Sequence, residues 1–229
     1  MRSLYSLDQK YYGFPDPNHA EKDGLIAFGG DLNPQRVLSA YSQGIFPWYS
    51  PGEPILWWSP DPRFILFPNK FHIPKSLSKT IRKTDFTITM DQAFVTVIHE
   101  CADIRNKNGC GTWITSKMIQ AYSKLYEMGF AHSVETWMDG ELVGGLYGIS
   151  LGRMFAGESM FFRKSNASKI ALVALVTFVR SYQFDFIDCQ MHTSHLKNFG
   201  AENIPRNDFL RLLSNSLKHD HLQGRWVYD

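Results

Sequence analysis

The dipeptide Asp139-Gly140 limits the possible folds more than any other feature of this 229-residue chain. A two-residue hairpin turn needs positive φ at its centre, and Asp-Gly supplies it at little steric cost. Residues 131–138 and 141–149 on either side read as its paired strands, and a third strand is expected over 153–162, after Gly152. Three strands joined in this way form an antiparallel meander. A helix over 167–182 follows, apolar on almost every side and therefore expected to be buried. Residues 184–190 read as a returning strand, ahead of shorter helices near 194–199 and 208–217. The order predicts an α+β domain.

Upstream the chain is punctuated by Pro and Gly from Pro15 to Pro62. One helix stands out there. Asn33 is a capping residue, Pro34 suits the first helical position, Val37, Leu38 and Tyr41 share a face, and Gly44 ends the run. Residues 1–62 are read as a small lobe that buries too little by itself and packs on residues 63–229. Beyond it, 86–90 alternates as a strand does, and Asp91 is the expected cap of a helix carrying Phe94, Val97, Ile98 and Cys101. A loop containing Gly109 and Gly111 leads to Trp113. Thr115 then opens a helix with Met118, Ile119, Tyr122, Leu125 and Tyr126 at helical spacing, closed by Gly129.

Composition removes several function classes. A net charge of +2 is too mild to indicate a nucleic-acid partner without local clustering. Three cysteines, Cys101, Cys110 and Cys189, form neither a CxxC pair nor an even framework, which argues against a disulfide scaffold and a structural zinc site and fits a reducing compartment. The N-terminus has no apolar stretch of signal-peptide length, and no run of about 18 apolar residues occurs. The expectation is a soluble cytoplasmic protein with no membrane segment, and a monomer, since no strong partner-helix seam is visible.

A few residues stand out chemically. On a strand, Met154, Ala156, Glu158, Met160 and Phe162 would share a face, and a carboxylate in that apolar row needs a partner or a task. A site carboxylate and a structural ion pair both satisfy that need. Asp188 and Gln190 would point the same way, about 7 Å apart along their strand, with Asp188 able to orient the amide. A strand running out into solvent would look the same. Cys189 faces the other way and is read as a small buried residue. His132, His192 and His195 lack ligand spacing, and no Ser-His-Asp arrangement is visible. Lys75, Lys79, Arg82 and Lys83 lie at helical spacing, either as a stripe toward phosphates or as a solvated face. Trp48, Trp57, Trp58 and Trp113 sit among Gly and Pro, where stacking or pocket-lining competes with a core role.

Taken in order, GLIAFGGDL, AYSQGIFPWYSPGEPILWWSPDPR, GTWIT, AHSVETW, LVGGLYG, GESMF, NASK, IDCQ and HLKNFGAENIPR resemble the leucyl/phenylalanyl-tRNA–protein transferases, from about Phe14 to Phe209. The resemblance implies a small N-terminal lobe on a GNAT-like acyltransferase domain, a fold that the strand and helix order also resembles. It implies transfer of Leu or Phe, and less readily Met, from aminoacyl-tRNA to proteins beginning with Arg or Lys, marking them for N-degron degradation, with no metal or coenzyme. Asp188 and Gln190 look like the family's catalytic pair, with Gln190 held by Asp188 and orienting the acceptor amine. Glu158 resembles its site carboxylate. Trp48, Tyr41 and Trp113 are the expected contacts of the tRNA 3′-terminal adenosine. Leu146, Phe155, Leu172, Leu175, Val179 and Ile187 are the expected aminoacyl side-chain pocket. Some relatives carry aromatic residues where this chain has Leu175 and Val179, so the Leu:Phe balance is open. Lys75, Lys79, Arg82 and Lys83 become candidate contacts to the tRNA backbone.

Two other readings compete with this one. An acetyl-CoA enzyme would cradle pyrophosphate with an Arg/Gln-x-x-Gly-x-Gly/Ala loop, whereas Asn106-Lys107-Asn108-Gly109-Cys110-Gly111 has Asn at the leading position. A non-catalytic tRNA or peptide-binding module would not need Glu158, Asp188 and Gln190 together.

Overall fold

A computed structural model describes residues 4–107 and 112–228. The expected loop containing Gly109 and Gly111, with most of the string weighed as a pyrophosphate loop, lies outside the described residues. The described residues build two sheets. In the first, β1 (Tyr5–Leu7), β2 (Leu25–Gly29), β3 (Phe46–Pro47) and β4 (Leu56–Trp58) take the order β1-β2-β4-β3, with α1 (Pro34–Ser42) between β2 and β3. The start of α1 follows from its sequence: the Asn33 side chain accepts from the Gln35 N–H beside Pro34. Its end does too, because Gly44 sits at φ 74° and a Cβ there would come within 2.7 Å of the Phe209 ring. Trp57, a candidate for stacking, is instead core: it is fully buried, donates from Nε1 to Gly29 O at 3.0 Å and meets Phe14 edge-on.

The second sheet has seven strands. The chain enters it at β5 (Arg63–Leu66), then continues through α2 (Lys75–Ile81), β6 (Thr87–Met90), α3 (Phe94–Lys107), α4 (Ser116–Glu127), β7 (Ala131–Met138), β8 (Glu141–Leu151) and β9 (Met154–Phe162). After α5 (Ala167–Ser181) come β10 (Phe186–Gln190), α6 (Ser194–Lys197), β11 (Glu202–Ile204) and α7 (Arg206–Ser216). The order is β11-β5-β10-β9-β8-β7-β6. Strands β7 to β9 form the expected three-strand meander, and β6 pairs antiparallel along its outer edge. Its hairpin pairs Met138 with Glu141 around Asp139 and Gly140, at φ 53° and 78°. The α5 crossover brings β10 back parallel to β9, and β5 closes on the far side of β10 in antiparallel register. Strands β5 and β11 were not expected.

Both faces of this sheet are covered. One carries α3, α4 and α7 and also takes Val37 and Tyr41 of α1 and Phe46 of β3, so a single core joins the two sheets. The other packs α5 with Leu77 of α2 and Trp226 of the C-terminal tail. Asp91 does not cap α3 as expected. It lies ahead of the helix at φ 55°, and its carboxylate accepts from the Ser133 and Trp226 N–H groups and pairs with His132. The buried Glu135 reaches the helix start instead, accepting from the Ala93 N–H at 3.3 Å. Ser133 and Thr89 hydroxyls occupy the rest of that carboxylate. Among the described residues no helix is long and apolar enough to cross a membrane.

Candidate active site

Strict strand alternation fails on both strands that carry the candidate residues, and each failure puts a polar residue where β9 and β10 part. Between Tyr147↔Ser159 and Gly148↔Gly157 the β8–β9 ladder slips, leaving Glu158 as the extra residue of a bulge. Parity reverses across it. Met154 and Ala156 belong to the same core as Phe161, while Met160 joins Phe155 on the opposite side. The expected common face of Met154, Ala156, Glu158, Met160 and Phe162 is therefore not formed. A second bulge falls between Asp188 and Gln190, and Gln190 adopts φ 62°. The β9–β10 pairing ends at Asp188↔Ala156. Beyond that point the strands are bridged by side chains: Gln190 Nε2 donates to Glu158 Oε1 at 2.8 Å.

Glu158 is the hub of this site. Its Oε1 also accepts from Tyr41 Oη at 2.6 Å and its Oε2 from Tyr122 Oη at 3.1 Å, while the two tyrosine hydroxyls lie 2.7 Å apart. Burial pushes the Glu158 carboxyl up to about 7, against the downward pull of the hydrogen bonds from Tyr41, Tyr122 and Gln190. Burial and then the charge of Glu158 push both tyrosines well above their ordinary range. Tyr41 was expected to lie against a nucleobase. Its ring is only 2 % exposed, so it offers the site a hydroxyl and no stacking face.

Asp188 is buried and is held by Arg63, a residue the sequence did not mark out. Arg63 meets it in a fork, Nε to Oδ1 at 2.9 Å and Nη2 to Oδ2 at 2.7 Å, donates from Nη1 to Gly44 O, and lies over the rings of Phe46 and Phe209. Asp188 Oδ1 then accepts from the backbone N–H of Gln190 at 2.9 Å. Asp188 thus holds the Gln190 main chain, whereas the expectation was a bond to its amide. A lone Arg heading the apolar run RFILF was the available signal, since a buried cation must find an anion. Tyr122 gave no signal, because its helix position reads as ordinary core.

The strands part over an apolar cavity of about 270 Å³. Leu146, Phe155, Leu172, Leu175 and Ile187 line it with Glu158, Gln190 and Trp113. Val179, expected among them, is fully buried in the α5 core and is not part of the wall. Met160, Cys189, Leu196 and His195 were not anticipated as lining. Cys189 therefore faces the cavity, and burial raises its thiol out of the thiolate range. Ser159 Oγ and His195 Nε2, also at this wall, have no hydrogen-bond partner among the described residues. Trp48 stands edge-on to Trp113 at 6.2 Å and beside Trp58 at 5.8 Å, so three of the four loop tryptophans cluster at this end. Lys75, Lys79, Arg82 and Lys83 are all exposed, on or just after α2.

Comparison with known proteins gives matches along most of the chain. Residues 65–214 match the family model described as leucyl/phenylalanyl-tRNA protein transferase, and residues 30–61 match the model of that family's N-terminal domain. A leucyl/phenylalanyl-tRNA–protein transferase of Desulfatibacillum aliphaticivorans is 58 % identical over 97 % of this chain and 95 % of its own. One of Legionella pneumophila (strain Corby) is 55 % identical over 95 % of this chain and 97 % of its own. Among solved structures, an aminoglycoside acetyltransferase from an uncultured soil metagenomic sample aligns with 50 % of this chain and 84 % of its own, at TM-score 0.38 and 12 % identity.

Proposed function

Because this chain belongs to the leucyl/phenylalanyl-tRNA protein transferase family, we propose that it moves Leu or Phe, and less readily Met, from charged tRNA to the N-terminal amine of proteins beginning with Arg or Lys, marking them for degradation. The observation that carries the reading is the Glu158–Gln190 contact at the parting of β9 and β10, beside an apolar cavity. The aminoacyl side chain enters that cavity between Leu146, Phe155, Leu172, Leu175 and Ile187. Trp48 and Trp113 offer flat faces for the terminal adenosine. Exposed Lys75, Lys79, Arg82 and Lys83 meet the tRNA backbone, where charge contacts suit an enzyme that accepts many tRNAs.

The chemistry asks little of the protein beyond placement. The acceptor nitrogen attacks the ester carbonyl, an N–C bond forms as the C–O bond to the 3′-ribose breaks, and the proton the amine gives up ends on the departing 3′-oxygen. Gln190 spends its amide N–H on Glu158, so its Oε1 is left to accept from the incoming amine and aim the nitrogen lone pair at the carbonyl. An amide is a poor base, and the ester is already activated, so orientation supplies much of the rate. Glu158 holds the amino end of a substrate, and Asp188 with Arg63 keeps Gln190 in its unusual backbone conformation.

The test is transfer of labelled Leu and Phe from charged tRNA to a peptide with N-terminal Arg, alongside the same peptide carrying acetyl-Arg. Label on the free amine alone is the expected result. A chain that binds charged tRNA yet labels neither peptide would be a binding module, and the proposal would fall.

A further inference from the structure

The tail after α7 is tied to the body of the protein along its length. Gln223 Nε2 donates to Met128 O at 2.8 Å, the Gly224 N–H to Gly129 O at 3.2 Å, and the Trp226 N–H to Asp91 Oδ2 at 2.7 Å. These bonds deliver the Trp226 indole into the α5 core, where it is 3 % exposed. It stacks on His132 at 3.8 Å and 7°, and Asp91 holds that imidazole through Nδ1. On its other sides it packs on Phe178 at 4.7 Å and leans on Phe155 at 5.8 Å. Phe155 is a wall of the cavity, whereas Trp226 is not. The tail also lies beyond the segments that the family models match.

We propose that Trp226 is a specificity-determining residue: by bracing Phe155 from behind, it sets the depth of the cavity and so the balance between leucine and phenylalanine. This rests on the reading of that cavity as the aminoacyl side-chain pocket. A close-packed wall can give way only if the group behind it can move. Trp226 has little freedom to do so. Its backbone N–H is bonded to Asp91, its Nε1 donates to Leu222 O at 3.1 Å, and its ring is held against a fixed imidazole. From α5, Leu175 is itself part of the wall and Phe178 packs on Trp226. Apolar pockets separate side chains by small energies, so relaxing one ring of the wall is enough to move the preference.

The experiment compares kcat/KM for phenylalanyl-tRNA with that for leucyl-tRNA, using one Arg-peptide acceptor, in the wild type, Trp226→Leu and Trp226→Phe. Trp226→Leu is expected to raise the Phe:Leu ratio about tenfold, and Trp226→Phe less in the same direction. Leu213→Ala lowers stability from the opposite core and is expected to leave the ratio unmoved, which separates the wall from general loosening. A ratio that stays put or falls in the Trp226 variants overturns the proposal. Should Trp226→Leu fail to fold, Trp226→Phe decides by the same criterion. Normal wild-type transfer with an unmoved ratio removes this inference alone, whereas no wild-type transfer removes the parent reading with it.

Discussion

Glu158 titrates where its neighbours leave it, and the consequence reaches stability. With its carboxyl raised from 4.5 to about 7, the folded state binds more protons than the unfolded state across that window. Stability is therefore fullest below the unfolded value and falls as pH rises through about 7. Glu158→Gln should remove this slope. The difference in unfolding free energy from urea titrations of wild type and variant should grow in favour of the variant by about 2–3 kcal/mol from about pH 5 to about pH 7.5. Parallel midpoints across the range would mean that Glu158 ionises normally. Asp188 behaves differently, because Arg63 is its partner in the core. Asp188→Asn leaves a buried guanidinium uncompensated and should cost about 3–5 kcal/mol by urea unfolding. Arg63→Met combined with Asp188→Leu should recover most of that loss without restoring aminoacyl transfer. If the double variant transfers normally, the pair has no part in positioning Gln190. The residue types at positions 158, 188 and 190 were legible in the sequence, whereas Arg63 and Tyr122 were not. Their importance lies in which atoms meet across 125 residues and 36 residues of chain.

At the scale of elements, local chemistry settled the starts and stops. Asn33 accepts the Gln35 N–H as its position before Pro34 implies, and α1 in turn presents Tyr41 to Glu158. Asn33→Ala should lose about 1 kcal/mol, seen as a fall in Tm of about 2–4 °C for a chain of this size. An unchanged Tm would mean that tertiary packing alone fixes this end of α1. The Asp139-Gly140 hairpin and buried α5 were equally readable, because turn chemistry and apolar periodicity are local signals. The two bulges were not, and they matter most. A bulge is a mismatch between the residue counts of two strands, so neither GESMF nor IDCQ contains it alone. The cap expected from Asp91 failed for a related reason. A buried carboxylate goes to the donors that fold against it, and Ser133, Trp226 and His132 all come from elsewhere in the chain.

At the scale of the molecule, one core runs under both sheets, from Val37, Tyr41 and Phe46 to Phe209 and Leu213. The four-stranded sheet and the larger one should therefore melt together. Calorimetry should give a single transition whose van't Hoff and calorimetric enthalpies agree, and two resolved transitions would show that the sheets are energetically separate. The exposed basic residues act over the whole molecular surface. Reversing Lys79 and Arg82 to Glu should raise KM for charged tRNA roughly tenfold at low salt while leaving kcat nearly unchanged. An unchanged KM takes the stripe out of the tRNA path.

By itself the sequence determined the meander, the buried crossover helix, the first helix of the small lobe and, through its ordered motifs, the family. These rest on turn chemistry, periodicity and spacing, which short stretches of chain carry intact. The tertiary structure alone decided that Glu158 and Gln190 meet, that Tyr41 turns its hydroxyl to Glu158, that Val179 is buried away from the cavity, and that the tail's Trp226 closes the core next to the cavity. Each depends on how strands count against one another or on which distant groups share a buried space. Desolvation makes such pairings obligatory once the chain folds, but it does not name the partners in advance.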